Sequence, residues 1–521
     1  MNTSEKQEKL TRRQFCKSAG VVISAAVAGS AALPGCGPLE RQKSGKHPNL
    51  LFVFSDQQSR DMLGCYGNED IITPNLNHFA SEGIRFEHCV SSSPVCTPFR
   101  GMLMSGQHPL YCGVLHNDYP LLANNGRYFG HVLKEAGYRM GYIGKWHLLG
   151  GDRDRPIPQG PMRYGFDNVF LSNNCHVDFR PSKCFYWNDD GQKVYFDEWE
   201  VYGQTRQALK FLDQCSNEQP FCLFVSWHPP HNTGLDMNSL VFQYDTIPEL
   251  LAMYDLDKIK LRPSVKDCRE IRRAYHGYYA MCSGVDIAFG RLMDKLREKG
   301  LEDNTLVVFT SDHGDNLASY DYRICKDHPE DTSTRIPFLM RWPKRLPRGQ
   351  VSELLFSPMD MMPTILALMS RKIPRTVQGQ DLSAAILKKQ NDAVQSIPLF
   401  FYKPAWKGVY TRDVTYGFGQ IGHFAHDNSG KLIMKNVPVR VLYDRSKDPY
   451  QLNNLYGNKD AAALQHKMEK LTKEWMERFG DPGVSVEQLD RLYRYPDNRL
   501  PEDTKEPGFP GRPIDLVKQI A

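Results

Sequence analysis

The sequence has no polybasic block: 65 Lys and Arg stand against 60 Asp and Glu, for a formal charge of +5. A nucleic-acid binder that works by neutralising phosphates needs a concentrated basic face, so the charge pattern excludes that class. A membrane-spanning helix takes about 20 apolar residues, and no run of that length is present; the weakly apolar stretch Val21 to Ala32 has 12. The 13 cysteines contain no CxxC pair and no regular spacing, which argues against zinc fingers, redox motifs and a disulfide framework. Internal repeats and low-complexity tracts are also absent, so a repeat architecture is excluded. What remains is ordinary for a globular chain with a real core: 41% hydrophobic and 24% charged residues over 521 positions. That length suggests about two to four domains, or one large domain with a smaller partner.

The positive surplus sits at the N-terminus. Residues 1–35 carry Lys6, Lys9, Arg12, Arg13 and Lys17 against Glu5 and Glu8, leaving only about +2 beyond them. Preference for an anionic substrate must therefore come from a local site. Thr11-Arg12-Arg13-Gln14-Phe15-Cys16-Lys17 resembles a twin-arginine export signal. Leu33-Pro34-Gly35-Cys36 resembles a bacterial lipobox, with Cys36 the lipidated first residue of the mature chain; an ordinary secretory signal with an incidental Cys is the other reading. The lipobox implies an exported protein, periplasmic or at the cell surface, carried by the twin-arginine machinery and anchored by acyl chains. Each buried CH₂ of those chains contributes roughly 0.8 kcal/mol. Twin-arginine export moves folded proteins, so most thiols are expected to stay free. Residues 37–47 read as a polar linker.

From Pro48 short apolar runs alternate with amphipathic helices. Leu50 to Phe54, Tyr138 to Ile143, Phe221 to Val225 and Leu306 to Phe309 have strand length. Phe129, Val132, Leu133 and Ala136 fall on one helical face, stopped by Gly137. Further helices are expected at Tyr202 to Gln214 and Ala274 to Lys299. Fully apolar strands separated by helices predict an α/β fold, a mostly parallel sheet sandwiched by helices, over residues 48–400. Residues 401–521 read as a smaller C-terminal α+β domain, with a helix from Ala461 to Phe479 and a Pro-rich tail.

Four of the strands run into chargeable residues: Ser55-Asp56-Gln57-Gln58, Gly144-Lys145-Trp146-His147, Ser226-Trp227-His228-Pro229-Pro230-His231 and Ser311-Asp312-His313-Gly314-Asp315. Ligands of open parallel sheets bind beyond the carboxyl ends of the strands, so these clusters are expected to converge. Asp56, Gln57, Asp312 and His313 offer ligands for a hard cation, Ca²⁺ or Mg²⁺. Lys145, His147, His228 and Lys326 would surround it with positive or protonatable groups, as a multiply charged oxyanion ester requires. Any one such Asp alone is equally well a helix cap or turn residue; four clusters on four strands are not. The segment from Cys96 to Gly106 reads as a loop entering a helix, with Pro98 in the first turn and Arg100 a fork for sulfate or phosphate oxygens. By chemistry alone Cys96 is open between a low-pKa nucleophile and a buried inert thiol.

Cys96-x-Pro98-x-Arg100 before a helix resembles the signature of the type I, formylglycine-dependent sulfatases. The neighbouring motifs agree in order: Ser55-Asp56-Gln57-Gln58, Leu63-Gly64-Cys65-Tyr66-Gly67, Thr73-Pro74-Asn75-Leu76, Gly144-Lys145-Trp146-His147, Ser311-Asp312-His313-Gly314-Asp315 and Asp448-Pro449-Tyr450-Gln451-Leu452. The resemblance spans roughly residues 48–480. It implies an alkaline phosphatase-like fold and hydrolysis of sulfate esters by a formylglycine that a maturase makes from Cys96. It further implies a Ca²⁺ (or Mg²⁺) site built from Asp56, Gln57, residue 96, Asp312 and His313. Arg100 and Lys145 would compensate charge on the sulfuryl group, His228 with Lys326 would protonate the leaving oxygen, and His147 would serve sulfate release. Two positions depart from the family pattern. Phe99 stands where a small residue is usual, and Gln57 where a second Asp is common. A phosphodiesterase or phosphonate hydrolase of the same fold class and a non-catalytic glycan-binding lipoprotein are the rival readings. Location suggests a sulfated carbohydrate as substrate. Loops in 150–200, with Arg180, Tyr186 and Trp187, are candidate specificity elements, and His176, His231 and His328 are candidate substrate contacts or core histidines.

Overall fold

A computed structural model describes residues 47–483 apart from 124, 237, 238, 240, 323, 324 and 427–431. The twin-arginine motif, the lipobox with Cys36, most of the linker and the Pro-rich tail lie outside the described residues. Among those described, no helix is long and apolar enough to cross a membrane. No disulfide joins any two of the eleven cysteines described.

The strands of the main sheet are β1 (Asn49–Ser55), β2 (Ile84–Val90), β3 (Arg139–Lys145), β4 (Val169–Asn173), β5 (Phe185–Trp187), β6 (Lys193–Tyr195) and β7 (Phe221–Ser226). A small hairpin, β8 (Gly234–Leu235) and β9 (Phe242–Gln243), precedes β10 (Thr305–Ser311), β11 (Arg335–Ile336), β12 (Phe338–Arg341) and β13 (Gln350–Phe356). Their order is β11-β2-β12-β10-β1-β7-β3-β4-β5-β6, with β13 on β2. The central strands β10, β1, β7, β3 and β4 are mutually parallel, and β12 and β5 pair antiparallel on either side of them. The expected α/β sandwich is therefore present.

Alternation along each strand explains the two layers. Leu50, Phe52, Phe54, Leu306 and Val308 enter one core; Leu51, Val53, Val307 and Phe309 enter the other. Such a side chain contributes about 1.5–3 kcal/mol when fully buried, and Phe52 stacks on Phe224 at 4.7 Å within the first layer. The helices that cover the sheet include α1 (Pro74–Ser81), α2 (Cys96–Ser105), α3 (Phe129–Glu135), α4 (Glu200–Asp213), α5 (Arg269–Glu298) and α6 (Pro358–Leu368). Asp286, buried on α5, caps α1 from outside: Oδ1 accepts from the Leu76 amide at 2.7 Å and Oδ2 from Asn75 Nδ2 at 2.8 Å. The Thr73 hydroxyl does not cap that helix.

A second sheet is antiparallel, in the order β14 (Ile397–Tyr402), β15 (Ala405–Tyr410), β16 (Val414–His426) and β17 (Leu432–Asp444). Helix α7 (Ala462–Phe479) packs Met468 against Val409, Tyr416 and Leu442 of this sheet. The sheet also reaches towards the carboxyl ends of the main strands: the Phe400 amide donates to Ser92 O at 2.9 Å, and Trp406 Nε1 to Asp327 O at 2.8 Å.

Candidate active site

In-register pairing brings the four polar clusters to one edge. Ser55 lies beside Ser311, and Ser226 beside both Phe54 and Gly144. Gly144 is required there: its φ is +106°, and a Cβ would meet Ser226 O at 2.0 Å. Beyond the strand ends, Gln57 and His147 both hold left-handed backbone, φ 68° and 55°. Such non-glycine conformations cost of order 1–3 kcal/mol each and mark a backbone over-determined by its surroundings.

Cys96 is the first residue of α2, and every residue of that helix is buried. Phe99 points into the core beside Phe54, while Arg100 points into the cluster. Cys96 Sγ lies 3.3 Å from His313 Nε2, 3.6 Å from Asp56 Oδ1 and 3.5 Å from Lys326 Nζ. Lys145 Nζ donates to Asp56 Oδ2 at 2.7 Å. Arg100 Nη2 donates to Asp56 Oδ2 and Asp312 Oδ2, each at 3.1 Å, and Nη1 donates to Ser226 Oγ at 2.7 Å. Apart from Lys326, which is half-buried, these groups are buried, so their charges act in a low-dielectric setting where pairing matters most. Burial pushes the Cys96 thiol up, yet Lys145, Lys326 and His313 outweigh it and hold the pKa well below the usual thiol range. Burial and the Asp56 charge together push the Asp312 carboxyl up.

A divalent cation fits this donor set. One oxygen, nitrogen or sulfur from each of Asp56, Cys96, Asp312 and His313 lies within 4.8 Å of the others. His313 Nδ1 lies 2.9 Å from Gly314 O; a carbonyl only accepts, so in the neutral ring Nδ1 carries the proton and Nε2 offers its lone pair to a cation. Gln57 joins through its amide: Nε2 donates to Asp315 Oδ2 at 2.7 Å, and Oε1 accepts from Lys326 Nζ at 3.0 Å.

The histidines separate. His147 lies by the thiol; its Nε2 is 3.0 Å from Asp118 Oδ1. His228 is fully buried, stacked on Phe179, with Nδ1 3.1 Å from Glu200 Oε1 and Nε2 accepting from the His176 amide at 3.4 Å. His231, one turn of loop further on, places Nε2 2.9 Å from Lys326 Nζ. The structure thus brings Asp56, Gln57, Cys96, Arg100, Lys145, His147, Asp312, His313 and Lys326 together and adds His231, whereas the hydrogen bonds of His228 lead away to Glu200 and His176. His328 is buried and His176 packs on Phe185. Asp118 and Glu200 support the site without a signal of their own in sequence, and Asp315 supports it through Gln57. Only Asp315 stood within a strand-end cluster.

Residues 48–371 match the sulfatase family, and residues 318–478 match the family described as N-sulphoglucosamine sulphohydrolase, C-terminal. An ulvan-active sulfatase of Formosa agariphila is 29% identical over 471 residues, 88% of this chain and 86% of its own length. An endo-4-O-sulfatase of Bacteroides thetaiotaomicron is 28% identical over 484 residues, 81% of this chain and 91% of its own. A solved structure of a sulfatase candidate from Bacteroides fragilis superposes with a TM-score of 0.72 at 31% identity, covering 85% of this chain and 98% of that one. With the family match spanning most of the chain over this fold, the protein belongs to the sulfatase family and is a sulfuric ester hydrolase.

Proposed function

We propose that this sulfatase removes sulfate from a sulfated glycan, using a formylglycine made from Cys96 and a bound Ca²⁺, as an exported protein anchored through Cys36. The observation that carries the reading is Cys96 Sγ, at the buried N-terminus of α2, within 3.6 Å of a carboxylate and an imidazole that face a common point. The names of two relatives, one ulvan-active and one an endo-4-O-sulfatase, support a glycan as substrate. The partners implied are a formylglycine-generating maturase and the twin-arginine export machinery.

Asp56, Gln57, Asp312 and His313, with residue 96, would hold the cation, which supplies Lewis-acid polarisation of the sulfuryl oxygens and a nucleophile at neutral pH. Arg100 and Lys145 fix the carboxylates around the helix N-terminus and place positive charge where the sulfuryl group gathers negative charge. His147 takes a proton as sulfate leaves residue 96. For protonation of the departing sugar oxygen the geometry favours His231 over His228. An acid at that step must reach the substrate, and His231 is part-exposed beside Lys326 while His228 is sealed against Glu200 and Phe179.

The test is release of free sulfate from a panel of sulfated mono- and oligosaccharides with Ca²⁺ present, matched phosphate esters and phosphonates run alongside. Sulfate released from one sugar class supports the reading and names the position. Phosphate release alone, from protein fully converted at residue 96, overturns it.

A further inference from the structure

Asp118 stands on the loop after Cys112, in left-handed backbone at φ 67°. Its carboxylate gathers three donors from the segment after β3. His147 Nε2 lies 3.0 Å from Oδ1; Arg153 Nε donates to Oδ1 at 2.8 Å and Nη2 to Oδ2 at 2.7 Å. The loop is fixed at both ends of the site. Asn117 Oδ1 accepts from the Thr97 amide at 3.0 Å, in the first turn of α2, and Asp118 O accepts from the Gly151 amide at 3.0 Å.

A carboxylate only accepts, so the proton of a neutral His147 must lie on Nε2. The other nitrogen, Nδ1, then holds the lone pair, and it is buried without a hydrogen-bond partner among the described residues. This is the nitrogen free to act as base towards residue 96. Arg153 behaves differently from the other charges of the site: its side chain is 47% exposed. Two of its nitrogens are committed to Asp118, while Nη1 makes no hydrogen bond among the described residues. It also lies close enough to Cys96 for the two charges to act on one another. A guanidinium pinned along one edge and open along the other is preorganised for a planar anion.

We propose that Asp118 is a positioning residue that selects the Nε2–H form of His147, and that Arg153 is a specificity residue whose open edge binds a second anionic group of the substrate, a carboxylate or another sulfate, next to the scissile ester. The specificity half rests on the glycan sulfatase reading above; the positioning half does not.

The first arm uses the full chain with ¹⁵N-histidine, the His147 signals assigned by loss in His147→Gln. Wild type shows the proton on Nε2. In Asp118→Asn, Arg153 retains the amide oxygen and the amide nitrogen faces His147, so the proton moves to Nδ1. An Nδ1–H form in wild type, or no change in the variant, overturns the positioning role whether or not turnover is seen. The second arm uses matured enzyme on matched sulfated disaccharides: one with no other anion, one with a uronate carboxylate and one with a second sulfate. Arg153→Gln raises KM at least tenfold more for an anion-bearing disaccharide than for the plain one, and the arm with the larger rise names the group. Asp118→Asn lowers kcat by about 100-fold or more with little change in KM, as loss of the correct tautomer does in other His-dependent enzymes. Equal KM changes on all three sugars with Arg153→Gln overturn the specificity role. Absence of sulfate release from wild type on every sugar counts against the glycan reading and leaves the first arm standing.

Discussion

Asp315 sets the direction of the Gln57 amide. Gln57 Nε2 donates to Asp315 Oδ2 at 2.7 Å, which turns Oε1 towards Lys326 and the cluster around Cys96. Gln57 can then offer an oxygen where many family members have a carboxylate, and Asp315 keeps the charge one layer behind it. Both Asp315 oxygens are occupied as acceptors, Oδ2 also by Tyr244 and Oδ1 by the Leu317 amide.

Asp315→Asn must therefore present an NH₂ to another donor and disturb the amide of Gln57. Loss of such an orienting partner weakens metal binding by about 10- to 100-fold. Calorimetric titration of Ca²⁺ into wild type and variant checks this. Affinities within threefold of each other would mean that Gln57 does not reach the cation.

The assignment of the leaving-group acid predicts a dependence on leaving group. His231→Gln should slow hydrolysis of a sugar sulfate by about 10²–10⁴-fold, the usual contribution of a positioned acid, and an activated aryl sulfate much less, because the aryl oxide departs without a proton. His228→Gln should show no such contrast, since its ring nitrogens face Glu200 and the His176 amide. Kinetics on the two substrate types separate the histidines.

Asp286 gives stability a pH dependence away from the site. Burial outweighs the hydrogen bonds from Leu76 and Asn75 and lifts its carboxyl to about 6. A carboxyl raised in the folded state contributes most below its ordinary pKa of 3.8, and that contribution is lost as pH rises through about 6. Asp286→Asn cannot ionise, so relative to wild type it should gain roughly 1–3 kcal/mol between pH 4 and pH 7. Urea unfolding across that range measures the difference; a constant offset would show that Asp286 does not titrate there.

The site was legible because its parts sit where period and chemistry change together. Runs such as Leu50 to Phe54 end abruptly in Asp56, and parallel register then carries Asp312 and Lys145 to the same edge. Strand β2 was not anticipated: Arg85 and Glu87 alternate with its buried residues and break the continuous apolar signal. The hairpins of the second sheet escaped for a related reason, since glycines at 408, 417, 419 and 422 dilute strand propensity. His228 and His231 were indistinguishable in sequence, because three residues of loop decide which ring meets Lys326 and which is buried against Glu200. Asp118 and Glu200 act through contacts with residues 28 or more positions away, and no local pattern marks them.

The account depends most on what residue 96 becomes. Protein co-produced with a formylglycine-generating maturase should be digested and its residue 96 peptide weighed, while sulfate release is measured on the same sample with Ca²⁺ beside a Cys96→Ala control. The account predicts conversion of Cys96 to formylglycine, sulfate release that rises with the converted fraction, and none from Cys96→Ala. Sulfate release that persists in Cys96→Ala, or that is unrelated to conversion, would contradict it.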